Sequence, residues 1–284
     1  MTAVVASPAL RRTQRRRVSF AIGIALMVAF TLMAFFPGWF APYDPLAFDY
    51  QAIMHAPDWT HPFGTDNFGR DVLSRTIWAT RIDMQIAVFS TLFPLVFGTI
   101  VGALAGYYGG WLDTIIGRLV DLLVAFPFLV IVIALIAMLG PVIGLGLKCM
   151  YIAVSIVGWV FYAQLMRAEI QVQKQSDYAA AARVLGYSEF RIIFRHLLPN
   201  AITPIIVYWM TDMALDILLG SSLGYLGLGA QPPTAEWGVI IADGKNFMST
   251  AWWISVFPGI AIVLAGVGFS LVGDGLADYF RRRS

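Results

Sequence analysis

Apolar runs of about 20 residues recur along the whole of this 284-residue chain, and a helix of about that length crosses the hydrocarbon layer of a bilayer. The first is the uncharged stretch 18–40. Others lie at about 86–106, 116–140, 150–166, 202–223 and 252–272. Helices satisfy their backbone polar groups internally, as lipid requires, and no alternating barrel-type strands occur, so the six runs are read as six transmembrane helices. Composition agrees: 59% of the residues are hydrophobic and 13% charged, against about 25% charged in an ordinary soluble domain. The chain is expected to be an all-α membrane protein. A cleaved signal peptide has an apolar core of only about 7–15 residues, so 18–40 reads as a retained first helix.

Charge distribution orients the bundle. Six crossings place both termini on one side. If the start, with Arg11, Arg12, Arg15, Arg16 and Arg17, is cytoplasmic, the inside also collects Arg118, Arg167, Lys174, Arg183, Arg191, Arg195, Arg281, Arg282 and Arg283. That is 14 of the 19 basic residues, the asymmetry of the positive-inside rule. Arg70, Arg75, Arg81, Lys148 and Lys245 fall outside. The expected organisation is a basic cytoplasmic tail (1–17), a first transmembrane helix (18–40), a periplasmic segment (41–83), a five-helix core (84–275) with a long cytoplasmic loop at 167–200, and a basic tail (276–284). Aromatic residues near the proposed ends, among them Trp39, Tyr43, Trp111, Trp252 and Tyr279, suit the headgroup zone.

Several residues inside the spans carry further information. Gly98, Gly102 and Gly106 put small residues on one helix face and permit close approach of a neighbour, first of all one within this chain. Pro94, Pro127, Pro204 and Pro258 each remove a helix hydrogen bond and favour a kink. Asp212 and Asp216, one turn apart in the fifth span, share a face and should avoid lipid. They are candidates for lining a translocation path, where they would attract a cationic group; the alternative is a partner subunit or a wet vestibule. Asp121 is expected to pair with Arg118.

The motifs of common catalytic sites are missing. No phosphate-binding Gly-x-x-x-x-Gly-Lys-Ser/Thr pattern occurs, and no Gly-x-Ser-x-Gly elbow. His55, His61 and His196 stand at no metal-ligand spacing, and Cys149 is the single cysteine. The chain is therefore expected to be no enzyme, to hold no metal or cofactor, and to bind no nucleic acid.

The loop 167–200 is built as two short helices. Ser176 is placed to cap the first, Ala179–Ala182 favour it, and Gly186 closes it. The second begins after Ser188 and is expected to stop at Pro199, with Phe190, Ile193, Phe194 and Leu197 forming one apolar stripe. Such a pair suits either a groove on a partner or this chain's own helix ends.

The stretch Ala180-Ala181-Ala182-x-x-x-Gly186, followed by Leu198-Pro199, resembles the EAA loop of ABC importer permeases. Ala180 stands where that family usually has Glu, and His196 where it often has Ile; Asp177, one turn earlier, is the candidate replacement for the acid. Two further segments, His61-Pro-Phe-Gly-Thr-Asp-Asn-Phe-Gly-Arg-Asp71 and Gly224-Tyr-Leu-Gly-Leu-Gly-Ala-Gln-Pro-Pro-Thr-Ala-Glu-Trp-Gly238, are similar to hallmarks of dipeptide/oligopeptide permease subunits. By themselves they read as turns at Gly64 and Gly69 and a stiff extended bend at Pro232-Pro233.

The resemblance runs from about residue 18 to the end. It implies a type I ABC importer permease of the bacterial inner membrane, with both termini cytoplasmic. Ala180, Ala181, Ala182, Gly186, Phe190, Leu198 and Pro199 would couple to ATPase subunits, and Asp212 and Asp216 remain path candidates. It further implies as partners a homologous second permease forming a heterodimer, two ATPase subunits that bind ATP and Mg, and a periplasmic or lipid-anchored substrate-binding protein, with di- or oligopeptides as cargo. The alternatives are importers of nickel chelates, opines or other small solutes, an ion-coupled secondary transporter using Asp212 and Asp216, and a membrane scaffold or receptor.

Overall fold

The computed structural model describes residues 8–281, with side chains from 17 to 280. The arginines at 11, 12, 15 and 16, and those at 281–283, lie outside the described side chains. Among the described residues the regular structure is helical, with irregular segments at 41–71 and 226–236 and no strand beyond an isolated bridge between Thr65 and Asp71.

The elements, in order, are α1 (Pro8–Phe35), α2 (Pro37–Phe40), α3 (Val72–Tyr108), α4 (Gly110–Val124), α5 (Phe128–Ile143), α6 (Leu147–Gln173), α7 (Asp177–Val184), α8 (Glu189–Arg191), α9 (Leu198–Tyr225), α10 (Trp237–Gly244) and α11 (Trp253–Arg281). A π-helical turn, Ile192–Leu197, joins α8 to α9. Five helical stretches are long and apolar enough to cross a membrane, and the bent pair α4–α5 brings the number to six if it is one span.

Most helices outrun their apolar cores. At 1.5 Å per residue, the 37 residues of α3 extend about 55 Å, well beyond the hydrocarbon layer. α3 begins at Val72, capped by Asp71, rather than near 86; its first turns carry Arg75, Arg81 and Asp83, charges that interrupt the apolar run. At the other end of the chain α11 continues to Arg281.

The third span is not one kinked helix. α4 and α5 meet at 91° around Phe126-Pro127, where proline denies the helix a donor and pushes its predecessor out of helical geometry. By contrast α3, α9 and α11 run through Pro94, Pro204 and Pro258.

The expected stop at Pro199 also fails: α8, the π turn and α9 form one stretch from Glu189 to Tyr225. In the π turn the Leu198 amide bonds to the Ile193 carbonyl, five residues back. Pro199 thus falls where hydrogen-bond register reverts to four, a place where a missing donor costs little. The Asn200 side-chain amide supplies a bond to the His196 carbonyl at 2.8 Å.

α3 packs along α6 over most of their lengths, and the glycine stripe explains how. A Cβ on Gly98 would lie 2.3 Å from the Trp159 carbonyl oxygen, and one on Gly102 2.3 Å from that of Ala163. Close packing within this chain is therefore the stripe's role, as expected. Asp121 and Arg118 form no ion pair among the described residues; instead Asp113 on α4 holds Arg167 on α6 through two hydrogen bonds, one of 2.7 Å.

Candidate functional site

Three regions carry polar chemistry: the end of the bundle bearing α7, the opposite end bearing 41–71 and 226–252, and the bundle interior.

At the first end α7 is a two-turn helix. Ser176 takes the N-cap position, but its hydroxyl donates backwards to the Gln173 carbonyl at 2.6 Å rather than accepting from the helix. Its other end follows the sequence closely. Gly186, at φ 75°, lets the Tyr187 amide reach the Ala182 carbonyl at 3.2 Å and its own amide reach Arg183 at 3.0 Å, a Schellman closure that favours glycine. Ala179 and Ala182 are buried against Tyr107, Ile170 and Ile193, whereas Ala180 and Ala181 face outward.

The second short helix is capped by Ser188, whose Oγ accepts from the Arg191 amide at 3.4 Å. Its predicted stripe splits. Ile193 and Leu197 are fully buried, joined by Ile192, because the π turn shifts the register of the face. Phe190 is 70% exposed and packs at a tilt against Phe194, ring centroids 4.5 Å apart, while Val184, 88% exposed, and Leu185 also point outward. Leu198 and Pro199 belong to the start of α9 instead of ending a helix. The unexpected His196 stacks on Tyr187 at 5.5 Å, and Arg191 lies 4.8 Å over the same tyrosine, so this hairpin is tied by rings. Asp177 is exposed at the start of α7, on the same element as the two outward alanines.

At the opposite end the first motif segment is tied to α10, the helix that follows the second, through Asp66, Arg70, Arg75 and Asp243. The Asp66 carboxylate accepts from Arg70 Nε at 2.7 Å and Arg75 Nη1 at 2.6 Å, and both arginines also reach Asp243, on α10. Asp71 caps α3 by accepting from the Ser74 amide at 2.7 Å, and binds His61 Nδ1 at 2.9 Å. Gly64 and Gly69 adopt positive φ, as turns there require. Pro232-Pro233 sits in a closed turn, with Thr234 N bonded to Gln231 O at 3.1 Å, rather than an extended bend.

Glu236 caps α10 through bonds from Gly238 N at 2.7 Å and Val239 N at 2.9 Å, and the next amide, Trp237 N, donates to Asp83 at 3.1 Å. Burial pushes the Glu236 carboxyl above its ordinary range, against the pull of the two amides. Exposed Asp58 is held below its ordinary value, chiefly by the His61 amide. The available signal for this network was the clustering of charges, Arg70, Arg75 and Asp83, on turns leading into an apolar helix.

Asp212 and Asp216 do come together, on α9, and both line a half-open cavity of about 430 Å³ bordered by α3, α5, α6 and α9, with Leu215 and Leu218 exposed at its mouth. The Tyr162 hydroxyl donates to Asp212 at 2.6 Å, and Tyr208 meets Tyr162 edge-on at 5.0 Å. Asp216 is 5% exposed. Among the described residues no group of three or more His, Cys, Asp or Glu is placed to hold a metal ion.

Comparison with known proteins accords with this architecture. The family described as "binding-protein-dependent transport system inner membrane component" matches residues 98–284. The dipeptide transport system permease protein DppC of Alkalihalophilus pseudofirmus is 37% identical over 257 residues, 90% of this chain and 83% of that protein. The glutathione transport system permease protein GsiD of Pectobacterium atrosepticum is 38% identical over 269 residues, covering 94% and 88%. The probable D,D-dipeptide transport system permease protein DdpC of Escherichia coli is 39% identical over 261 residues, covering 92% and 85%. Membership of this family implies ATPase and substrate-binding partners. With its helical, multi-span architecture and this match, the chain belongs to the binding-protein-dependent transport system inner membrane components, as a multi-pass permease of the bacterial inner membrane.

Proposed function

We propose that this permease forms half of the pathway of an ATP-driven importer of di- or oligopeptides, and that α7 with the hairpin after it is the surface gripped by the ATPase subunits. The observation carrying this reading is the division of α7 into two faces. Ala179 and Ala182 seat it on the bundle, while Ala180, Ala181 and Val184 point away from the chain, beside the outward Leu185 and Phe190. Exposed apolar side chains grouped on a short helix at one end of a bundle fit a groove on a partner. Gly186 supplies the tight closure that turns the chain from α7 into the segment bearing Phe190.

In this reading the α7 end is cytoplasmic, in line with the surplus of basic residues there, and both termini share that side. The opposite end, stiffened by the Asp66–Arg75–Asp243 network, receives the loaded binding protein. A homologous second permease completes the pathway as a heterodimer. The chain itself performs no catalysis and holds no cofactor; ATP and Mg belong to the ATPase subunits. Peptide cargo is supported by the names of the relatives, which are peptide and glutathione permeases. Leu198 and Pro199 transmit motion of the hairpin directly into α9, which carries Asp212 and Asp216 into the pathway.

Scrambling residues 177–191 in the assembled transporter tests the reading. Loss of ATPase co-purification and of ATP-driven uptake is expected, and uptake that survives the scramble rejects it. Phe190→Asp alone should weaken the association by roughly 2 kcal/mol, the scale of an interface hot spot.

A further inference from the structure

The half-open cavity beside α9 holds unsatisfied polarity at its buried wall. Asp216 is 5% exposed, and among the described residues it receives no hydrogen bond and forms no ion pair. The neighbouring Asp212 has only tyrosine hydroxyl chemistry beside it, with Tyr162 as donor. Buried carboxylates without a cation are expensive. A second element, α3, adds an independent sign: Ser90 lines the same cavity, is 1% exposed, and its Oγ has no hydrogen-bond partner. Two carboxylates on α9 and an orphaned hydroxyl on α3 thus converge on one space from different helices.

The rest of the lining says what kind of cation fits. Phe128 and Phe161 border the cavity and meet each other at 5.8 Å, offering ring faces of the kind that attract organic cations. A volume of about 430 Å³ falls in the range of small-molecule sites and far exceeds the need of a bare ion. A hard metal cation would ask for six or more oxygen ligands, which this largely apolar lining does not supply. An ammonium group carries its own three donors, enough for Asp212, Asp216 and Ser90 together.

We infer that the cavity bounded by Ser90, Phe128, Phe161, Tyr208, Asp212 and Asp216 is a subsite for the protonated amino group of the transported solute. The inference rests on the permease reading and deepens it, since it assigns the permease itself a part in substrate selection. The ammonium donates to the two carboxylates and to the Ser90 hydroxyl, while the organic body lies against the rings.

The test places a thiol at Ser90 (Ser90→Cys, in a Cys149→Ala background) in the complete transporter in lipid nanodiscs. Its reaction with cationic 2-aminoethyl methanethiosulfonate is compared with that of the anionic 2-sulfonatoethyl reagent, each normalised to a free thiol. Two nearby carboxylates in a poorly screened site should favour the cation by about tenfold or more. Asp212→Asn with Asp216→Asn should abolish the preference. Ser222→Cys, which lines the same cavity, is a second reporter if the first variant does not assemble.

Glycylglycine should protect the thiol and N-acetylglycylglycine should not, while Nα-acetyl-lysine amide tells a side-chain amine from an amino terminus; protection by either primary amine supports the subsite. Equal normalised rates, a thiol equally inert to both reagents, or protection by the acetylated dipeptide overturns it. ATP-driven uptake by the same complex reconstituted in sealed vesicles separates the two readings: uptake without charge preference removes the subsite and leaves the permease, whereas a complex with its partners present and no uptake before any substitution removes the permease reading itself.

Discussion

Arg75, on the first turn of α3, reaches Asp243 at the end of α10 with a 3.1 Å hydrogen bond, joining residues 168 positions apart. The same guanidinium binds Asp66 at 2.6 Å. It is the fixed point at which the segment before α3 and the helix before α11 are tied to the bundle.

Because Asp66 is fully buried and serves both Arg70 and Arg75, Asp66→Ala leaves two guanidinium groups facing each other with Asp243 alone. Breaking a buried pair in this way costs about 3–5 kcal/mol. Asp243, 30% exposed, shares its load with solvent, so Asp243→Ala should cost clearly less. Thermal unfolding of the purified protein in detergent ranks the two, and the reverse order would show that Asp66 is not the hub.

The α3–α6 contact makes a steric prediction. Gly102→Ala puts a methyl 2.3 Å from the Ala163 carbonyl oxygen and 2.9 Å from its Cα, a backbone obstacle that cannot rotate away. A loss at or above the upper end of the 1–3 kcal/mol typical of overpacking, roughly 3 kcal/mol, is expected. Gly117→Ala on α4 meets nothing within 4 Å and should gain up to about 1 kcal/mol of helix propensity. Folded yield by size-exclusion chromatography distinguishes them.

Glu236 predicts a pH dependence. Its carboxyl is raised in the folded protein above an ordinary value of 4.5, with burial as the main cause. The folded state therefore holds its proton after the unfolded chain has lost it, and stability from this group declines as pH climbs through and above 4.5. Glu236→Gln cannot ionise, and its single side-chain oxygen keeps an acceptor for one of the two amides, Gly238 or Val239, that the two carboxylate oxygens now serve. Its unfolding temperature should fall less steeply than that of the unmodified protein over the same rise in pH, and parallel curves would refute the assignment.

Asp212→Asn combined with Asp216→Asn should sharply impair uptake while the transporter assembles normally, since amides keep the shape of the cavity and remove its charge. Uptake in reconstituted vesicles, with subunit stoichiometry as the control, decides it. Unchanged transport would take both residues off the pathway.

Several features lay open in the chain because they depend on local chemistry. Length and apolarity mark a bilayer-spanning helix wherever it sits, Gly186 announces a helix end through the φ it permits, and spacing alone puts Gly98, Gly102 and Gly106 on one face. Asp212 and Asp216 were recognisable as a pair because an interval of four aligns them on any helix.

What depends on distant partners was not readable. The start of α3 was obscured because Arg75 and Asp83 look like loop residues until Asp66, Asp243 and the Trp237 amide are brought beside them. Pro127 breaks its span while Pro94 and Pro204 do not, although proline removes the same donor each time; the surrounding packing decides whether the helix tolerates the loss. Pro199 ends nothing because a π turn adjusts the register before it. Ser90 is an ordinary residue of an apolar helix in the sequence, and acquires meaning only when folding sets it, unpartnered, across a cavity from two carboxylates. Local geometry is encoded by neighbours a few residues apart, whereas the neutralisation of buried charge requires residues that only the closed bundle makes adjacent.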